Sequence, residues 1–546
     1  MTNDPPQTLD FEIEIVTAEH PPGVYIKFAG ERIMRGEGAR WRWHKDVDGR
    51  NFLSAELEPL SLIQLTDMVA HHAVRFEKIN SRGHRVDIDP PEVIMKPLHG
   101  AHHHILSDVK GIITSPTMRP DGSLLTEQGY DEQTELWYKS SDNVELPPIP
   151  ERPTRNDADK ALALLNGLLD EFPFEGETEK EKKSVSRSAA LAAIITTAAR
   201  GALFGAVPLF VMTAPKARTG KTYLIHVITT IATGHIPVSD AGSEDDTEFE
   251  KRVETAALAG RAIMHFNNLP ENKVVKSVRL AELATEGMVN IRKLGRHEQG
   301  QCDCRATTAF LNGNNILMSG DLVPRTVSCR LIAKEEHPEE RKFNSDPIRR
   351  VRANRGAYLA AVFTIIHAFR AAGSPQPAEG AMKRDAGFDQ WSELVQQPLI
   401  WLGMADPLGA MEAMRAMDPE QEDLQRLYDA LQACLTTEQE RRHFTVAMCT
   451  DKANDTVGRG EFGPPKYKYP ALRELMIVKG QINTRHFGRV LAGARDKIRD
   501  GWCIKVVETP GVRTAANAYC LIGPSQAGAG VTVTGVPDID GQREPM

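Results

Sequence analysis

The chain has 546 residues, 41% hydrophobic and 26% charged, the make-up of an ordinary globular protein long enough for roughly three or four domains. Its 66 Lys and Arg against 74 Asp and Glu leave a net charge of −8, which excludes a wholly basic nucleic-acid coat but leaves room for a local basic module. Seven scattered cysteines exclude a disulfide-built secreted fold and fit a reducing compartment. Residues 1–150 mix short β-like runs ("FEIEIV", "GVYIKFAG") with a helical stretch near 60–80, an N-terminal α+β region. The acidic start "MTNDPPQTLDFEIEI" is not a signal peptide, and "RPDGSLLTEQGYD" reads as a hairpin around Asp-Gly. "ELPPIPERPT", residues 145–154, reads as a stiff linker and the first boundary. A helical subdomain over 151–205 follows, with an Asn/Asp cap and apolar residues at helical spacing. The apolar zone 189–214 is interrupted by Arg200 and Pro208, so it predicts a buried helix and a core strand, not a membrane span. The expected compartment is the cytoplasm.

Residues 206–335 alternate strands and helices, which predicts an α/β nucleotide-binding core. Its opening, "LFVMTAPKARTGKTYLI" at 209–225, is a strand, a loop and a helix entered through Gly-Lys-Thr. Backbone N–H groups and a helix N-terminus in such a loop surround phosphate oxygens while a lysine neutralises them. Pro215, Thr219, Gly220, Lys221 and Thr222 are the candidate contacts to ATP, and Thr222 offers its hydroxyl to Mg2+. Pro215 holds the position of the usual first glycine. The next core strand, "RAIMHFNNLP", ends on Asn267 and Asn268 where a magnesium-holding aspartate is expected. Asn267 is isosteric with aspartate but neutral; it can orient a metal-bound water and cannot take a proton. "SEDDTEFEKRV" offers Glu248 and Glu250 as replacement carboxylates, or simply an acidic helix N-terminus favoured by the macrodipole. "TTAFLNGNN" ends in Asn312, Asn314 and Asn315, and "SGDLVPRTVSCRL" carries Arg325 and Arg330.

Strand–GKT–helix, "EFEKRVETAALAG", "AIMHFNN", "IRKLG", "NGNN" and "GDLVPR" stand in the order found in prophage and plasmid replicative helicases. The chain resembles that family over about 80–420, and the family is similar to superfamily-three, poxvirus-primase-like AAA+ ATPases. The resemblance implies a homo-oligomeric ring, hexameric, that moves along single-stranded or forked DNA using ATP and Mg2+. It implies phosphate and magnesium contacts at Lys221 and Thr222, a sensor at Asn314 and an arginine finger at Arg325 reaching a neighbouring subunit. A primase and other replication proteins are the implied partners, although no primase motif stands in the N-terminal region. Two positions depart from the family's pattern, Pro215 for glycine and Asn267 for aspartate, and the second bears on hydrolysis.

"NIRKLGRHEQGQCDCRATTA" predicts a hairpin carrying Arg292, Lys293, Arg296 and His297. It is either a DNA-tracking hairpin of the ring channel or an exposed charged turn. Cys302 and Cys304, one residue apart with no second pair, make a poor zinc site, and "AHHHI" at 101–105 reads as a polar loop. A helical subdomain over 336–450 leads to a last small domain, 466–524. Residues 466–513 hold eleven Lys and Arg against four Asp and Glu. Over 484–501 the spacing predicts one helix with Phe487, Val490, Leu491, Ala494 and Ile498 inside. Arg485, Arg489, Arg495 and Arg499 then fall on the other face, within about 120°. With the following "WCIKVV" hairpin this is a winged-helix layout, its basic face toward DNA, the alternative being a solvated face. The reading that follows is an ATP-dependent replicative helicase of a phage or plasmid. The rival is an initiator or helicase loader that binds ATP as an assembly switch and hydrolyses it weakly. A small-molecule kinase does not account for the basic C-terminal module.

Overall fold

The computed structural model describes residues 25–28, 32–35, 40–45, 51–56, 61–72, 76–100, 109–139, 144–178, 181–292, 299–338, 344–383, 387–459, 465–507 and 518–524. The chain is mixed α/β and falls into two compact units, 1–414 and 415–546.

In the first unit the N-terminal residues form antiparallel hairpins, among them Tyr25–Phe28 with Arg32–Arg35 and Arg40–Lys45 with Asn51–Glu56. The expected hairpin around Asp121-Gly122 is present: Thr117–Met118 pairs with Leu124–Leu125, and Gly122 takes φ +94°. The Pro-rich stretch 145–154, read from the sequence as a linker, lies on the core. Leu146 and Ile149 pack against it, and the Glu145 carbonyl runs so close to Gly356 that a Cβ there would lie 1.9 Å from its oxygen.

Helices α1 (Arg155–Leu169) and α2 (Val185–Ala198) precede a five-stranded sheet. Its strands are β1 (Leu209–Ala214), β2 (Ser239–Ala241), β3 (Ile263–Leu269), then β6 (Thr308–Asn314) and β7 (Thr326–Arg330). Between β3 and β6 stand an antiparallel pair, β4 (Met288–Arg292) and β5 (Gln299–Asp303). The sheet is parallel throughout, in the order β2-β3-β6-β1-β7. A parallel sheet is covered on both faces, which is why β1 reads as unbroken apolar sequence and every residue of it is buried. Phe210, Met212 and Ala214 pack with α1, α2, α3 (Lys221–Thr233) and α6 (Arg355–Ala371). Leu209 and Val211 pack on the other side with α4 (Asp246–Leu258) and α5 (Val278–Glu286). The result is three layers, α/β/α.

From β1 the chain leaves through α3, on one face, toward the β2 edge. From the adjacent β6 it leaves through the 3-10 turn Gly320–Arg325, on the opposite face, toward β7 at the other edge. Connections that diverge from neighbouring parallel strands open a crevice at their carboxyl ends.

The second unit holds α7 (Pro419–Cys434), β8 (Phe444–Thr445), α8 (Val446–Asn454), α9 (Pro470–Met476) and α10 (Thr484–Ala494). An antiparallel sheet in the order β8-β11-β10-β9 completes it, from β9 (Ile498–Arg499), β10 (Trp502–Val507) and β11 (Ala518–Ile522). Leu427, Tyr428 and Leu431 of α7 share its core with Phe444, Leu472, Phe487, Leu491 and Ile504. Residues 419–450, assigned from the sequence to the preceding helical segment, therefore pack with the C-terminal elements. The predicted long helix stops at Ala494. Asp500 and Gly501, at φ 47° and 78°, form a two-residue turn that pairs Arg499 with Trp502, and this hairpin takes the residues the helix would have used. Ile498, expected inside, is 67% exposed.

Candidate functional site

The crevice is a cleft of about 420 Å³ at the carboxyl ends of β1, β3 and β6. Its wall includes Arg218, Gly220, Lys221, Thr222, Glu271 and Asn314. The loop 215–220 turns sharply at its end, where Gly220 takes φ +101° and caps α3 without a side chain. A β-carbon would be strained in that conformation, so glycine is required. Pro215 opens the loop with no N–H to offer. Thr219 is buried beneath it and donates its hydroxyl to the Lys216 carbonyl at 3.1 Å.

Lys221 is 7% exposed, and burial pushes its ammonium below the ordinary lysine range. The ammonium donates to Asn314 Oδ1 at 2.7 Å, to the Lys216 carbonyl at 3.1 Å and to Thr219 Oγ1 at 3.4 Å. All three acceptors are neutral, so the charge has no carboxylate partner among these contacts. Buried cations in that condition are poised to accept an anion.

Beside it, Thr222 Oγ1 lies 3.2 Å from Asn267 Oδ1 and 3.1 Å from Asn312 Nδ2, and Asn312 Nδ2 donates to Asn267 Oδ1 at 2.9 Å. Two features bring these side chains together. The β3–β6 register slips between Phe266 and Leu269, so a bulge carries Asn267 and Asn268 out of the ladder, Asn268 at φ 52°. Gly313 lets β6 approach, since a Cβ there would sit 2.8 Å from the Leu269 carbonyl oxygen. Asn312 Oδ1 in turn faces His265 Nε2 at 2.8 Å; both residues are fully buried. Burial pushes the His265 imidazole down to about 4, against the partial support of Asn312, so the ring is neutral. Asn267 Oδ1 thus receives two hydrogen bonds, which fill its lone pairs. Of the two residues expected to meet magnesium, Thr222 is the one with an oxygen lone pair left.

The structure does not bring Glu248 or Glu250 to the cleft. Glu248 pairs loosely with Lys251 and Arg252, each at 3.6 Å. Glu250 caps α5, accepting from the Val278 and Arg279 amides at 2.8 and 3.2 Å. Among the described residues lining the cleft the carboxylate is Glu271, which the sequence reading passed over; it is the first acid after the β3 strand end. Arg325 stands away from the cleft of its own chain, with Nε donating to Thr285 Oγ1 at 2.6 Å and Nη1 to the Asp321 carbonyl.

The predicted hairpin over 290–303 is present as β4 and β5, with Arg292 opposite Gln299. Lys293, Arg296 and His297 lie outside the described residues, as do His102, His103 and His104. Cys302 and Cys304 are buried, and no metal-holding cluster exists among the described residues. In the second unit Arg485 and Arg489 are exposed on α10, one turn apart, with no ion-pair partner among the described residues. Arg495 caps that helix and pairs with Asp496 at 3.1 Å. Arg499 sits on β9 and donates to Gln425 Oε1 at 3.2 Å. The four arginines do not form one helical face.

No family model matches the sequence, and no curated protein matches it. Among solved structures, two of the apo NrS-1 C-terminal region (305–718) align over 82% of this chain and 94% of theirs, at 10% identity and a TM-score of 0.35. A further apo structure of the NrS-1 C-terminal region aligns over 65% of this chain and 73% of its own, at 11% identity and a TM-score of 0.30. Likenesses this slight carry no argument about fold or function. No helix among the described residues is long and apolar enough to cross a membrane.

Proposed function

We propose that the cleft binds ATP with Mg2+ and that the chain is the ATP-driven motor of a mobile-element replication helicase, working as a homo-oligomeric ring on DNA. The observation that carries this is Lys221: a buried ammonium with neutral partners, at the N-terminus of a helix entered through a left-handed glycine, beside the central strand of a parallel sheet. That arrangement supports a phosphate-loop reading, and the hydrogen bond from Lys221 to Asn314 supports Asn314 as the γ-phosphate sensor. In a phosphate loop the hydroxyl after the lysine meets Mg2+ beside phosphate and water, so Thr222 Oγ1 fits as the protein ligand; when bound, the ion would neutralise charge on the transferring phosphoryl group. Glu271, on the cleft wall, is the carboxylate this reading assigns to orient the attacking water. Arg325, at the end of the Gly320–Arg325 turn and held there by Thr285 Oγ1 with the Asp321 carboxylate 4.0 Å away, is the residue to reach a neighbouring subunit's nucleotide. The helix-rich second unit with its β10–β11 hairpin supports a winged-helix reading, with Arg485 and Arg489 on DNA phosphates.

One observation favours the rival switch protein: the β3 strand end presents a neutral amide and no acid at Thr222. Full-length protein assayed for ATP turnover with and without single-stranded DNA separates the two. DNA-stimulated turnover that Lys221→Ala abolishes, and that Glu271→Gln lowers while leaving ATP bound, supports the motor. ATP binding with turnover no higher than in Lys221→Ala replaces it with the switch.

A further inference from the structure

The arrangement behind Thr222 is a closed relay, and it fixes which way the hydroxyl points. Asn312 is fully buried on β6, and its amide has one face to each side of the relay. Its oxygen faces His265 Nε2 at 2.8 Å; its nitrogen faces Asn267 Oδ1 at 2.9 Å and Thr222 Oγ1 at 3.1 Å. His265 Nδ1 is buried and has no partner among the described residues to receive a proton, so the ring proton is assigned to Nε2, and with Nε2 donating the amide has one self-consistent orientation. Turned over, it would set its oxygen against Asn267 Oδ1 and its N–H groups against a ring N–H. A hydroxyl has one donor and two lone pairs. Asn312 fills one lone pair of Thr222, and the hydrogen goes to Asn267 Oδ1, so the remaining lone pair is held ready for a cation.

We propose that His265 is a positioning residue which, through Asn312, presets Thr222 to present a lone pair to a phosphate-bound divalent cation. The inference rests on the nucleotide reading of the cleft. His265 touches no ligand: it sits fully buried on β3, its ring packed edge-on against His226 at 6.1 Å between centroids. It acts only by choosing the orientation of the Asn312 amide. The relay also gives Asn267 a task that needs no negative charge. Its oxygen takes the Thr222 hydrogen, which an asparagine does as well as an aspartate.

The test is the magnesium enhancement of ADP affinity, the ratio of dissociation constants measured in EDTA and in Mg2+, for the full chain. His265→Leu should lower that ratio about tenfold, as loss of an outer-shell partner does, and leave the EDTA value unchanged. His265→Gln, whose amide nitrogen reaches to the Nε2 position, should restore most of the ratio. If His265→Leu does not fold, His265→Phe keeps the ring contact with His226 and removes the donor. An undiminished ratio in the Leu or Phe variant overturns the proposal, and so does an equal loss with and without Mg2+, the mark of a merely structural residue. A wild-type protein that binds no ADP at all overturns the nucleotide reading itself, and the relay's role with it. Wild-type binding without any magnesium enhancement overturns the relay alone.

Discussion

Replacing Lys221 by alanine separates what its ammonium does for the fold from what it does for a ligand. In the folded protein the charge is nearly buried and held by one hydrogen bond of 2.7 Å and two longer ones, all to neutral oxygens. The favourable contacts and the cost of burying an unpaired charge oppose each other, so the change in unfolding free energy is small, within about 1 kcal/mol. A phosphate changes the balance. A charge-assisted hydrogen bond to phosphate is worth about 1.5–3 kcal/mol, and surrendering Asn314 Oδ1 returns about 1 kcal/mol of it. The net, about 0.5–2 kcal/mol, makes ADP affinity roughly 2- to 30-fold weaker in Lys221→Ala. Calorimetric titration with ADP in EDTA measures this without the metal. The pH dependence gives a second reading. Burial places the folded pKa below 10.5, so the unfolded chain binds more protons as pH approaches 10.5 from below. Wild-type stability therefore rises with pH in that window relative to Lys221→Ala, as the penalty for the buried charge is lifted. An ADP affinity within twofold of wild type would refute the argument, because Lys221 would then be a buried cation that no anion meets.

Arg485→Ala with Arg489→Ala should remove two phosphate contacts, reducing the slope of log affinity for single-stranded DNA against log salt by about 1.4. Arg495→Ala with Arg499→Ala, whose side chains are engaged by Asp496 and Gln425, should leave that slope unchanged; equal effects from the two pairs would dissolve the distinction. Glu440 is held down to about 2 by its hydrogen bond to the Lys452 ammonium at 2.6 Å, helped by the Thr436 and Thr437 amides. Its folded pKa is depressed, so it contributes stability above about 4.5 that is lost as pH falls toward 2. Urea unfolding of the full chain should show Glu440→Gln less stable than wild type at pH 7, with the gap closing as pH falls from 4.5 to about 2. A gap independent of pH would mean the carboxylate does not act through its charge.

Local sequence was enough to place the sheet and its loop. Six consecutive buried residues, then a short loop and Gly-Lys-Thr at a helix start, are dictated by burial on both faces and by a left-handed glycine, both short-range requirements. The Asp121-Gly122 hairpin was legible for the same reason. The strand ends were legible as polar, but not as a network, because Asn267, Asn312 and His265 meet through a bulge and a glycine contact between strands distant in sequence. The acidic run before α4 left Glu248 and Glu250 open between a role at the nucleotide and a plain acidic helix start; tertiary structure gave Glu250 to the start of α5 and put Glu271 on the cleft wall. In the second unit apolar spacing found the buried face of α10 and then ran past Ala494, since a helical period cannot see that Asp500-Gly501 pairs Arg499 with Trp502. Sequence determined what each segment prefers within a few residues. Which segments meet, and so which side chains share a site, was decided by packing between segments far apart in the chain.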